Sequence, residues 1–144
     1  MSATIAQQDL LAILFEKSHL FVAVDVSSGP ARSQDDQALA NRQIWQELIA
    51  NLVDLRSLDD DWDGQGAKAP AVELVDSAIS LAGWLRDEQV IPAHYAIAGV
   101  NGTLHLEWIN NQHSIDIEII SPGLAEVCSV NLPDHSTTLN VFRW

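Results

Sequence analysis

The sequence predicts a two-layer α+β domain, with helices in the N-terminal half packed on a C-terminal antiparallel meander of four to five strands. Three observations predict it. Apolar residues in the first half recur at spacings of three and four, the period of a helix buried on one side. From residue 94 onward they alternate with polar residues, the period of a half-buried strand. Turn signals punctuate the alternating runs: Asn101-Gly102, Asn110-Asn111-Gln112, Ser121-Pro122-Gly123 and Pro133-Asp134. The 144 residues are the length of one domain. They divide by pattern into a variable N-terminal extension (residues 1–34) and a core (residues 35–144).

Residues 5–17 read as a short amphipathic helix, with Ile5, Leu10, Ile13 and Leu14 as landmarks. Asp9 lies in its first half and Lys17 at its end, as the helix dipole favours. Leu20 to Val26 is rich in β-branched and aromatic residues and reads as a strand, with a continuation of the helix as the competing reading. Ser27-Ser28-Gly29-Pro30 breaks whatever precedes it, and residues 27–36 read as a polar linker. The clearest helix covers residues 36–57. Leu39, Trp45, Leu48, Ile49, Leu52, Val53 and Leu55 form its stripe, and Asp35 or Asp36 is placed to cap it. A further helix covers residues 71–87, begun at Pro70 and ended by Ile91-Pro92, with Val72, Val75, Ala78, Ile79, Ala82 and Leu85 at helical spacing.

Asn101-Gly102 signals a two-residue type I′ hairpin. Such a loop sets Tyr95 opposite Trp108, Ile97 opposite Leu106 and Gly99 opposite Leu104, with all large apolar residues on one face. Leu104, Leu106 and Trp108 alternate with His105 and Glu107; Ile115, Ile117 and Ile119 alternate with Asp116 and Glu118. Two further strands are expected over residues 124–131 and 137–143.

Seven Lys+Arg against twenty Asp+Glu give a net charge of −13. A phosphate-backbone binder needs clustered Lys and Arg, and none are clustered here, so direct nucleic-acid binding is not expected, and anionic lipid surfaces should repel the chain. The first fifteen residues contain no Lys or Arg, and no run is long and apolar enough to span a bilayer. A cytoplasmic protein without membrane insertion is expected. The single Cys128 excludes an intrachain disulfide and a Cys-rich zinc site, and reads as a small buried hydrophobe. The five His residues show no H-x-x-x-H or H-E-x-x-H spacing, and G-x-S-x-G, G-x-G-x-x-G and Walker A patterns are lacking. No catalytic residue is assigned.

Two constellations remain. Asp59-x-Asp61-x-Asp63-Gly64 matches the opening of a calcium loop, where alternating carboxylates converge on a hard cation. The closing bidentate Glu is missing: Pro70 stands there, and the nearest Glu is Glu73. Asp59, Asp61 and Asp63 are thus an incomplete set for Ca²⁺ or Mg²⁺, and no other cofactor is expected. In the structural reading Asp63 bonds neighbouring amides, Trp62 plugs into the core, and Gly64 and Gly66 supply positive φ. The second constellation is the polar face of the meander. If the turn after Trp108 pairs Glu107 with Asp116 and His105 with Glu118, three carboxylates and a His share one patch. Such a patch can hold a divalent cation or raise one carboxyl pKa, although any sheet with one wet face displays polar residues there. Of the five Trp residues, Trp45 and Trp108 fall on core faces, and Trp84 lies off its helix stripe as a candidate contact residue.

The stretch from Leu58 to Ala67, with a helix, Leu106-Glu107-Trp108 and Ile117-Glu118-Ile119 after it, resembles a family of small bacterial and phage-associated proteins of unknown function. Their shared pattern is a W-D-G-x-G-A loop, a helix, an L-E-W strand and an I-E-I strand. The likeness covers roughly residues 45–120 and rests on Trp62, Asp63, Gly64, Gly66, Ala67, Glu107, Trp108 and Glu118. Gln65 stands where an aromatic residue is common. The resemblance implies the order of elements and no catalytic role.

Residues 35–63 hold eight acidic and two basic residues, a surface suited to a cationic partner. The expected function is that of a non-enzymatic interaction protein. It would bind a basic protein as an antitoxin, immunity or nucleic-acid-mimicking protein does, through Asp59, Asp61, Trp62, Asp63, Gly64, Gly66 and Trp84. The alternative is a divalent-metal or small-ligand-binding domain with weak hydrolytic activity, using Asp61, Asp63, Glu107 and Glu118. A third reading is a homodimer formed through a sheet edge or residues 20–26.

Overall fold

The computed structural model describes residues 3–21 and 33–144. In chain order these form β1 (Ala3–Ile5), α1 (Gln7–Phe21), α2 (Gln34–Asp54), α3 (Val72–Asp87), β2 (Tyr95–Ala98), β3 (Leu104–Ile109), β4 (His113–Ser121), β5 (Leu124–Asn131) and β6 (Thr137–Arg143). The sheet order is β1-β6-β5-β4-β3-β2. Strands β2 to β6 form the antiparallel meander, and β1 joins its far edge parallel to β6. The domain is therefore α+β and two-layered, with six strands where four to five were expected. The added strand, β1, is three residues long, too short for an alternating pattern to announce it. It and α1 contribute to the common core, with Leu10 and Leu14 buried and Ile5 packed against them.

Local chemistry sets the helix boundaries. The Ser33 hydroxyl accepts from the Asp36 amide at 3.2 Å and caps α2. Asp35 and Asp36, the expected caps, fall in the first turn instead, where the positive end of the helix dipole favours carboxylates. The helix gives way to a 3-10 turn over Leu55–Ser57. Its buried stripe is narrower than the apolar pattern implied: Trp45, Leu48 and Leu52 are buried, whereas Leu39 and Val53 face solvent. Leu20 and Phe21 continue α1, as the competing reading had it. The remainder of the expected strand over residues 20–26, and residues 27–32 of the expected linker, lie outside the described residues.

The sheet's inner face carries Leu104, Leu106, Trp108, Ile115, Ile117, Ile119, Ala125, Val127 and Phe142, all buried. The helices roof that face with Leu10, Trp45, Leu52, Leu81 and Leu85. Trp45 and Trp108 meet edge to face, with ring centroids 6.2 Å apart. Their indole N–H groups donate to consecutive carbonyls in the connector after α3: Trp45 to Val90 at 2.8 Å and Trp108 to Ile91 at 3.0 Å.

The first hairpin departs from expectation by one residue. Tyr95 faces Glu107, Ala96 faces Leu106, Ile97 faces His105 and Ala98 faces Leu104. The Gly99 amide donates to the Thr103 carbonyl at 2.8 Å, and Gly102 donates back to Gly99 at 3.3 Å. Gly102 has φ +80°, in the left-handed region that favours glycine. This is a three-residue loop with glycine in the left-handed position, not a two-residue one. The shift sends Tyr95 and Ile97 to the outer face. Ala96 and Ala98 take the inward positions, where small side chains fit against a core already holding two indoles.

Leu106→Ala is expected to destabilise the fold by about 2–5 kcal/mol, because it empties a fully buried site. Leu139→Ala, on the open face, should cost no more than about 0.5 kcal/mol. Urea unfolding of the two variants checks both values.

Candidate functional site

One sheet face carries the helices; no described element covers the other. Pairing of β3 with β4 sets Glu107 opposite Asp116 and His105 opposite Glu118, as the turn after Trp108 implied. Pairing of β4 with β5 extends the row, with Asp116 opposite Cys128 and Glu118 opposite Glu126. On the other side β2 places Tyr95 beside Glu107 and Ile97 beside His105. Strands β2 to β5 contain no Lys or Arg.

His105 stands at the centre of this patch. Its Nδ1 lies 3.0 and 3.1 Å from the two carboxylate oxygens of Asp116. Its Nε2 lies 3.3 Å from the Thr103 hydroxyl and 3.9 Å from a Glu118 oxygen. The Asp116 hydrogen bond holds the imidazole pKa above its ordinary 6.5; partial burial opposes this, and the charges of Asp116, Glu118 and Glu107 add to it. One donor atom each from His105, Glu107 and Asp116 lie within 4.8 Å of one another.

A residue that carried no assignment in the sequence makes room for the ring. A Cβ on Gly99 would fall 2.5 Å from the Thr103 hydroxyl and 2.8 Å from His105 Nε2. Only glycine leaves that space, and a glycine inside a strand pattern is itself a signal of close approach. Cys128 departs from the buried position expected of it: it is half-buried on the open face, between Asp116 and Leu139, and not in the core. Burial, with the charges of Asp116 and Glu126, pushes its thiol pKa up, which makes it a poor nucleophile.

The aspartate loop spends its carboxylates on its own backbone. Asp60 accepts from the Ala69 amide at 2.9 Å, and Asp61 from Gly66 at 2.7 Å. Asp63 accepts from Gln65 at 2.9 Å and Ala67 at 3.0 Å. The Ala67 and Gln65 bonds lower the Asp63 pKa. Gly64 and Gly66 take positive φ, and so does Asp61. Asp59 is exposed. Trp62 does not enter the core. It is exposed, and its indole donates to the Lys68 carbonyl at 3.3 Å, while Ala67 and Pro70 fill the buried positions of the loop. The Lys68 amide donates to Val100 at 2.8 Å, tying the loop to the tip of the β2–β3 hairpin.

Trp84 is half-buried, not presented to solvent. It stacks on Phe142 at 6.0 Å, and Phe142 stacks on Trp144 at 5.5 Å. Its place off the α3 stripe sets it over β6 instead of the central strands. Of the residues singled out in the sequence, His105, Glu107, Asp116 and Glu118 converge; the loop residues form a separate, self-bonded turn. No helix among the described residues is long and apolar enough to cross a membrane. No family model matches the chain, and neither a curated protein nor a solved structure does.

In EDTA-containing buffer the His105 ring is expected to titrate above 6.5. Its folded-state pKa is raised, so its contribution to stability is complete below 6.5 and is lost as pH rises through the folded value. NMR titration of the ring checks this; Asp116→Asn should bring the midpoint down, and an unchanged midpoint would contradict the pairing.

Proposed function

We propose that the protein is a non-enzymatic interaction protein whose open sheet face docks a basic protein surface. One observation carries this reading: Glu107, Asp116, Glu118 and Glu126 stand side by side on three neighbouring strands, with no Lys or Arg on β2 to β5 to offset them. Opposed carboxylates on a sheet repel one another, and arriving Lys or Arg side chains convert that repulsion into attraction. Tyr95, Ile97, Ile109 and Leu139 are exposed and give the patch apolar anchors of the kind that sit at interface centres. The net charge of −13 steers a cationic partner toward the domain before contact.

The mode of action is that of an antitoxin, an immunity protein or a nucleic-acid mimic: acidic side chains occupy the surface a basic protein would otherwise present elsewhere. The same charge repels nucleic acid itself. It also disfavours self-pairing of this face, because a second copy brings like charge. The contact surface moves from the aspartate loop to the sheet because the loop's Asp60, Asp61 and Asp63 already bond their own amides.

The test is affinity capture from the native host with the wild type and with a Glu118→Lys/Glu126→Lys double variant. The expected result is a stoichiometric basic protein, retained by the wild type at low salt, released at high salt and absent from the double variant. A partner held equally by both chains, or no stoichiometric partner at low salt, would overturn the reading.

A further inference from the structure

We infer that His105, Glu107 and Asp116 form a binding site for a transition-metal dication of the zinc or manganese class. Three features carry this. The first is convergence: one imidazole nitrogen and two carboxylate oxygens, from two paired strands, lie within 4.8 Å of one another. Two donors that each bind one ion at about 2.1 Å stand no more than about 4.2 Å apart, so a small closing movement of these half-buried side chains completes the set. Glu107, half-buried on β3 directly opposite Asp116, is the arm placed to make it.

The second feature is support behind the imidazole. A ligating histidine ordinarily donates its other ring N–H to a hydroxyl, carbonyl or carboxylate, which fixes the ring and raises its basicity. Here Nδ1 points at Asp116, and Nε2 is met by the Thr103 hydroxyl at 3.3 Å and by Glu118 at 3.9 Å. Gly99 leaves the ring and Thr103 the room to hold this pose. Binding replaces the Nδ1 proton, which leaves to solvent, while Nε2–H donates to Thr103 or Glu118 and both carboxylates remain ionised.

The third feature is ion selectivity. Ca²⁺ and Mg²⁺ take oxygen donors, whereas an imidazole with carboxylates suits zinc, manganese and their neighbours. The ion class therefore differs from the calcium or magnesium that the aspartate loop suggested. Three protein donors leave coordination positions open to water or to a group on another molecule. The inference rests on donor geometry alone and does not depend on a basic partner.

The test uses the full chain stripped of metal, titrated calorimetrically with ZnCl₂, MnCl₂, CaCl₂ and MgCl₂. One equivalent of Zn²⁺ or Mn²⁺ is expected to bind and raise the melting temperature, with Ca²⁺ and Mg²⁺ without effect. Asp116→Asn and His105→Gln should remove that site, and Glu118→Gln should weaken it about 10–100-fold through the ring's support. In the wild type, sub-stoichiometric Zn²⁺ should shift the His105 ring resonances before those of His94, His113 and His135, a readout that needs no variant. Equal Zn²⁺ and Mn²⁺ binding by the wild type and His105→Gln, no saturable binding of either ion, or resonance shifts that spare His105 would each overturn the inference. Capture of a basic partner in EDTA is unaffected by any of these outcomes, so the two proposals fail separately.

Discussion

Two indole N–H groups bonded to consecutive carbonyls hold the layers of this protein in register. Trp45 reaches from α2 to Val90, and Trp108 reaches from β3 to Ile91. Both rings are buried, and a buried donor without an acceptor costs about 1–3 kcal/mol. The connector between α3 and β2 therefore cannot slide without orphaning one indole or both. It delivers His94 to the point where its amide donates to Glu107 at 2.7 Å, and β2 pairs with β3 from there. Everything on the open face follows from that register. Ile97 falls beside His105, Tyr95 falls beside Glu107, and Gly99 falls where its missing side chain admits the His105 ring.

The two acidic regions of the chain show how one residue type serves two ends. In the loop, backbone amides surround the carboxylates, and the bonds they form set the loop's shape. On the sheet the backbone amides are already used by the ladder, so among the described residues the carboxylates of Glu107, Asp116, Glu118 and Glu126 face one another and His105. Local backbone bonding stabilises the first set; the second set is opposed carboxylates across paired strands with His105 among them. This difference in available donors is why the proposed contact surface lies on the sheet and not on the loop.

Much of the fold was legible because burial imposes a period. The span of α3, the inward Ile115-Ile117-Ile119 row and the spans of β5 and β6 follow from periodicity and turn residues alone, whereas the α3 stripe differs at its edges: Val72 is exposed and Ile79 half-buried, while Leu74 and Leu81 are buried. So does the pairing of His105 with Glu118 and Glu107 with Asp116. The first hairpin was not legible, because Asn101-Gly102 satisfies a two-residue turn and a three-residue loop ending in a left-handed glycine equally well. The tie is broken by the indole anchors and the size of Ala96 and Ala98, which are tertiary facts. The same holds for Trp84, whose ring stacks on Phe142, distant in sequence; Trp62 instead turns to the Lys68 carbonyl within its own loop. Cys128 was open to a parity argument: Val127 turns inward, so its successor turns outward.

The most direct measurement is the pattern of cross-strand α-proton contacts between β2 and β3 in a NOESY spectrum. Contacts from Ala96 to Leu106 and from Ala98 to Leu104 are the expected result. Contacts placing Ile97 against Leu106 and Tyr95 against Trp108 would contradict it, turn Tyr95 and Ile97 inward, and take away the register that sets Gly99 beside the His105 ring.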